Sequence, residues 1–133
     1  MANTVNRKII VSGPRSIVLS VYLKSDGVSG DLAQEPLLTP SEVGLDEDAR
    51  FRLQYVAYNF AGFDGVLEFD AGLVDPAFKW VLSERTNAPV DFRPFSHIRD
   101  DSGLDGTGVL MLNTTGFTLE QDQGSILLLI RKP

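Results

Sequence analysis

The chain has 133 residues, of which 43% are hydrophobic and 23% are charged, and it contains no cysteine. This length allows one domain with a buried core, and the lack of cysteine excludes disulfides, thiolate metal sites and cysteine nucleophiles. The formal charge of −6 disfavours nucleic acid and anionic membranes as partners, so we expect neither. A transmembrane helix needs about 18 consecutive apolar residues, which the sequence lacks, and its start lacks the apolar region of a signal peptide.

The first 24 residues contain the clearest strand pattern. Residues 8–12 alternate, with Ile9 and Val11 predicted on one face, and the Gly13-Pro14 pair ends this first segment. Side chains that alternate with period two, many of them β-branched, are typical of a half-buried strand. The next segment, residues 16–24, places four apolar residues on its inner face: Ile17, Leu19, Val21 and Leu23.

Residues 26–50 differ in character from the strands. Asp26 and Gly27 predict a turn, while Pro36 and Pro40 disfavour a regular helix in the rest of the segment. We therefore expect a long loop at about 26–50 that covers a surface or reaches a neighbour, with one short helical turn at most.

Strand patterns return after residue 50 and continue to the end of the chain. Together with the first two strands they predict about eight, separated by Gly- and Pro-containing breaks. The predicted fold is all-β: an antiparallel β-sandwich, jelly-roll-like, forming a single domain over residues 1–133. The later strands are expected near 51–58, 66–69, 77–82, 90–93, 109–113 and 125–130.

Two of these strands are apolar on both faces if the alternation is strict. Val56, Tyr58 and Phe60 then lie opposite Phe51, Leu53 and Tyr55, and Leu127 and Leu129 lie opposite Ile126, Leu128 and Ile130. Such strands are covered either by another part of the chain or by another protein. Both explanations stay open here: cover by the 26–50 loop, or an oligomeric interface.

The aromatic residues divide into a core set and a candidate interface set. Phe51, Phe69 and Trp80 are expected in the core. Aromatic side chains on the face opposite to these core residues favour a platform that stacks against a sugar or binds another protein. The candidate interface residues are Tyr22, Val56, Tyr58 and Phe60.

The sequence carries no recognisable catalytic motif. His97 is the single histidine, and a serine–histidine–aspartate triad needs convergence in space, so we interpret it as an ordinary loop residue. Asp100, Asp101 and Asp105 superficially resemble a calcium loop, but the sixth and twelfth positions from Asp100 do not match the EF-hand pattern. We therefore predict no enzyme activity and no catalytic residue, cofactor or metal site.

A second acidic loop, with Asp26 and Asp31, is an equally weak candidate for calcium. Turn geometry explains aspartate and glycine in both loops, since these residues favour tight turns.

Segments along nearly the whole chain resemble small virion proteins of tailed bacteriophages. The resemblance lies in strands and turns and brings no catalytic residues with it. It is carried by residues Asn6–Arg15, Ser25–Asp31, Tyr55–Phe63, Leu67–Asp70, Val90–Phe95, Gly106–Gly116 and Asp122–Lys132.

This resemblance implies a capsid cement (decoration) protein. Such a protein is made in the bacterial cytoplasm and sits on the capsid surface of the virion, where it binds and stabilises the shell of the major capsid protein, often as a dimer or trimer. Two other functions remain open: a carbohydrate- or receptor-binding sandwich of a phage tail or fibre, and a jelly-roll enzyme of the cupin kind. The single histidine makes the last the weakest, because cupin metal sites use several.

Overall fold

The computed structural model describes residues 2–46, 49–70, 79–95, 98–99 and 107–133. Within them lie two 3₁₀ turns, Pro40–Val43 and Arg93–Phe95, and no α-helix. Eight of the strands have four residues or more, so the predicted all-β fold with about eight strands is confirmed. The ten strands of the described residues are β1 (Thr4–Ser12), β2 (Ser16–Lys24), β3 (Glu35–Leu38), β4 (Arg52–Ala61), β5 (Asp64–Phe69), β6 (Lys79–Leu82), β7 (Val90–Asp91), β8 (Ile98–Arg99), β9 (Leu110–Thr115) and β10 (Gln123–Arg131).

The strands form two antiparallel sheets. The larger sheet has the order β1-β2-β10-β4, with β7 and β8 both pairing with the far edge of β4, and the smaller sheet has the order β3-β9-β5-β6. The pairs are nested along the chain: β5 with β6, β4 with β7 and β8, β3 with β9, and β2 with β10. A long hairpin wrapped into two sheets in this way is a jelly roll.

The hydrophobic core lies between the two sheets. All four predicted inner residues of β2 are completely buried, which confirms its alternation. At one end of the core three aromatic rings pack in series, with centroids 4.5 Å apart for Phe60 and Phe63 and 4.6 Å apart for Phe63 and Phe117. Phe51 and Phe69 are buried as expected, and Trp80 is half-buried with its ring edge-on to Phe92.

In two strands a β-bulge interrupts the strict alternation of faces that the sequence predicts, so the predicted faces are wrong beyond the bulge. In β4 the pairing with β10 shifts between Leu53 and Tyr55, so that Gln54 is an extra residue. The residues after the bulge therefore change face, and Val56 points into the core on the same side as Leu53. In β1 the pairing with β2 shifts between Ile9 and Val11, and these two side chains lie on opposite faces.

The segment predicted as a loop at about 26–50 contains a strand and a helical turn. β3 pairs with β9 at the edge of the smaller sheet, where Pro36 needs no second partner strand. Leu37 and Leu38 are completely buried, so this segment is part of the sandwich. Arg7 of β1, in the larger sheet, connects the two sheets here. Its guanidinium donates to the Leu37 carbonyl (2.7 Å) and forms an ion pair with Glu42 (3.0 Å).

Gly124 gives a test of the packing between the sheets. A Cβ at this position would lie 2.5 Å from Cδ1 of Phe60 and 2.9 Å from Cζ of Phe63. We expect Gly124→Ala to lower the free energy of unfolding by about 1–3 kcal/mol, because the aromatic series must shift to admit the methyl group. Urea unfolding measures this, with the exposed neighbour Ser125→Ala as the control; equal midpoints for the two variants would contradict the packing.

Candidate functional site

The outer face of the larger sheet is the candidate site. We define this outer face as the side chains of β1, β2, β10 and β4 that point away from the core. The cross-strand register assigns to it Thr4, Asn6, Lys8, Val11, Ser16, Val18, Ser20, Tyr22, Lys24, Gln123, Ser125, Leu127, Leu129, Arg131, Arg52, Tyr55, Ala57, Asn59 and Ala61.

An apolar row crosses the outer face. Val11, Val18, Leu129 and Tyr55 occupy consecutive paired positions on the four strands. Val11 is 48% exposed, and Leu127 in the neighbouring row is 41% exposed. Contiguous apolar side chains on the outside of a sheet are typical of a contact surface for another molecule. Unlike β4, β10 is therefore apolar on both faces, as the sequence predicts.

An arginine row lies beside the apolar row. Arg131 of β10 is directly opposite Arg52 of β4, and the backbone of Arg52 pairs in turn with Arg99 of β8. The side chains of Arg52 and Arg131 are half-buried, and neither has an ion-pair partner among the described residues. Two cations in directly opposite positions repel each other, so this row concentrates positive charge.

A further arginine lies at the end of the apolar row. The guanidinium carbon of Arg93 is 5.7 Å from the ring centroid of Tyr55, a cation–π arrangement. Arg93 also forms an ion pair with Asp91 at 2.9 Å, and this carboxylate raises the pKa of the guanidinium. Asp91 and the Tyr55 ring therefore contact the same guanidinium group.

Acidic residues are absent from the four strands that form the outer face. The chain has 18 Asp and Glu residues, yet none lies in β1, β2, β4 or β10. Lys8, Lys24, Arg52 and Arg131 all belong to the outer face. The charged residues of these four strands are therefore all basic, although the chain has a net charge of −6, and Asp91 of the neighbouring strand β7 is directly opposite Tyr55, where it pairs with Arg93.

Tyr22 lies at the other end of the outer face, beside two amide side chains. It is 39% exposed, and its hydroxyl donates to Oε1 of Gln123 at 3.2 Å. Together with Asn59, Ala61 and Ser125 these residues line a shallow open depression. An aromatic ring next to amide groups can contact a polar ligand or a protein loop.

Only one of the four predicted interface residues lies on the surface. Tyr22 is exposed, while Val56, Tyr58 and Phe60 are buried in the core, so their predicted position on an exposed face is wrong. The bulge at Gln54 is the physical reason, since it turns these three side chains inward. Tyr58 donates its hydroxyl to the carbonyl of Ser83 at 2.9 Å, which satisfies its polar end there.

The acidic loop at Asp26 and Asp31 uses its carboxylates within the fold. Asp26 accepts backbone N–H bonds from Val28 (2.8 Å) and Ser29 (2.7 Å). Asp31 accepts the N–H of Phe117 at 2.7 Å and so connects this loop to the one before β10. These contacts assign both carboxylates to loop geometry.

The predictions for His97 and for the second acidic loop cannot be compared with the structure, because His97, Asp100, Asp101 and Asp105 lie outside the described residues. Within the residues that are described, no cluster of three or more potential metal ligands occurs. No helix in this part of the chain has the length and apolar character needed to cross a membrane.

The inward orientation of Phe60, which differs from the sequence prediction, can be tested by truncating its side chain. We expect Phe60→Ala to lower the free energy of unfolding by about 3–5 kcal/mol, because it removes a buried ring from the aromatic series. Tyr22→Ala should change it by no more than about 0.5 kcal/mol, since this side chain is exposed. Urea denaturation measures both, and similar losses in the two variants would contradict the assigned faces.

The Asp26 turn predicts a specific pH dependence. The Ser29 hydroxyl, followed by the N–H groups of Ser29 and Val28, lowers the pKa of Asp26 from 3.8 to about 2. Its contribution to stability is therefore present above about pH 4 and is lost as the pH falls toward 2. We expect the gap in urea midpoint between wild type and Asp26→Asn to narrow from about pH 6 to about pH 3; a constant gap would contradict this.

Comparisons of the chain with protein-family models, with curated proteins and with solved structures found no match.

Proposed function

We propose that this chain is a non-enzymatic structural protein that binds another protein through the outer face of its larger sheet. The observation that carries the proposal is the composition of this face, which combines exposed apolar side chains (Val11, Leu127) with arginines beside the half-buried Tyr55 and Leu129, on four strands that carry no acid. Protein interfaces are enriched in aromatic residues and arginine and depleted in acids.

The resemblance to phage decoration proteins suggests the partner. In this proposal the chain is a capsid cement protein that binds and stabilises the shell of the major capsid protein on the virion surface. A capsid repeats each binding site by symmetry, so an interface of standard size on each copy adds up over the shell. The described fold suits this role, because a rigid sandwich can bridge two subunits without ordering a flexible segment on binding.

A dimer or trimer of this chain remains a prediction. The outer face does not favour a symmetric contact with itself, because a two-fold axis through it would bring its lysines and arginines close to those of the second copy. Any self-association in this proposal uses another surface and leaves the outer face for the capsid.

The capsid proposal is tested with purified phage heads that lack the protein. We expect Leu127→Asn to weaken binding by about tenfold or more, because it removes an exposed apolar side chain from the centre of the outer face. Val81→Asn is the matched control, since Val81 is also an exposed apolar strand residue (62%) but lies on the smaller sheet. Co-sedimentation with heads measures the affinity. Absence of binding by the wild type, or equal loss in both variants, would contradict the proposal.

A second candidate function is carbohydrate or receptor binding on a phage tail or fibre. The observation that favours it is the depression beside Tyr22, where an exposed ring lies near the amides of Asn59 and Gln123. Amides bind sugar hydroxyls, and an aromatic ring provides an apolar surface for a sugar ring. A glycan array distinguishes the two functions: saturable binding that is lost in Tyr22→Ala supports this second function.

A further inference from the structure

The arginine row is an unfavourable arrangement for the isolated chain. Arg52 and Arg131 occupy directly opposite positions on neighbouring antiparallel strands, where Cβ atoms lie roughly 5 Å apart. Like charges in this position are destabilising. Neither arginine has an acidic neighbour on the four strands of the outer face, although acids outnumber bases in the chain.

The side chains of both arginines are only partly exposed. Arg52 and Arg131 are half-buried, so their aliphatic stems cover part of the sheet surface. The adjacent positions on the same two strands are Tyr55 and Leu129 of the apolar row. A ligand on this part of the face would therefore contact charged and apolar groups together.

From this arrangement we infer that the outer face recognises an acidic segment of a partner protein, with carboxylates on Arg52 and Arg131 and apolar side chains on Leu129 and Tyr55. The inference rests on the proposed docking role of the face and adds the chemistry of the partner. A guanidinium binds a carboxylate through two parallel hydrogen bonds, and a carboxylate between two arginines would reduce their mutual repulsion. Binding would thus relieve a cost that the free chain carries.

Charge distribution distinguishes this partner from other polyanions. Nucleic acid would need a continuous cationic field, and the net charge of −6 opposes its approach. An acidic protein segment can pair its carboxylates with the two arginines and pack its apolar side chains against the apolar row at the same time. The observations therefore favour a segment that contains both carboxylates and apolar side chains.

The test uses a fluorescein-labelled peptide of about four Glu-Leu repeats, measured by fluorescence anisotropy at low salt. The matched control peptide has glutamine in place of glutamate. We expect the Glu-Leu peptide to bind the wild-type chain at least about tenfold more tightly than the Gln-Leu peptide, and the Arg52→Gln/Arg131→Gln variant to lose this preference. Arg85→Gln, in an exposed turn, should leave the preference unchanged.

A stability measurement separates a binding role from a structural one. Because the two arginines repel each other, the urea midpoint of the Arg52→Gln/Arg131→Gln variant should exceed that of the wild type at low salt, and the gap should narrow as salt is added. A lower midpoint would show that the arginines stabilise the fold and would overturn the inference. Equal binding of the two peptides, or tighter binding of an oligothymidylate of similar length, would also overturn it.

Phage heads distinguish this inference from the proposed function. If the arginine-dependent peptide preference is found but heads are not bound, the capsid role fails and the acidic preference stands. If heads are bound equally by wild type and by the Arg52→Gln/Arg131→Gln variant, the capsid role stands and the inference fails.

Discussion

The pairing of β10 with both β2 and β4 is the constraint on which the rest of the molecule depends. β10 forms a nine-residue ladder with β2 and a matching ladder with β4, so the last strand closes the sheet that the first strands begin. These contacts join residues that are between 62 positions (Ala61 and Gln123) and 115 positions (Ser16 and Arg131) apart along the chain, so their formation costs loop-closure entropy. The outer face exists only after this closure, because its rows take one position from each of these strands.

The fold class could be predicted from the sequence because β2 keeps a strict two-residue period along its whole length and the later strand-like segments are separated by breaks that contain glycine or proline. The bulges could not, since one extra residue in β1 or β4 leaves no compositional signal and changes the face of every side chain beyond it. For that reason strict alternation places Phe60 at a surface, whereas the residue lies in the core. β3 escapes prediction for a different reason: Pro36 disfavours a central strand but is tolerated at an edge.

The candidate site is only partly accessible from the sequence. The position of Tyr22 on the outer face agrees with the period of β2. The arginine row is not predictable in this way, because Arg52 and Arg131 are 79 positions apart and meet only through the register of β4 and β10. One signal is present in the sequence: the four segments that form this face contain no aspartate or glutamate in an acidic chain. Segregation of charge between strands thus indicates the candidate face, although the position of the arginine row on it requires the structure.

Gly124 affects the register in which β10 pairs with β2 and β4. Because β10 is apolar on both faces, a slip of one residue would bring Leu127 and Leu129 into the interior in place of Ile126 and Leu128, at little cost in hydrophobic burial. The aromatic series removes this freedom, since only a residue without a side chain fits beneath Phe60. A slipped strand would place Gln123 or Ser125 there instead. Gly124 therefore determines the register of β10, because it makes one of two alignments with similar hydrophobic burial the stable one.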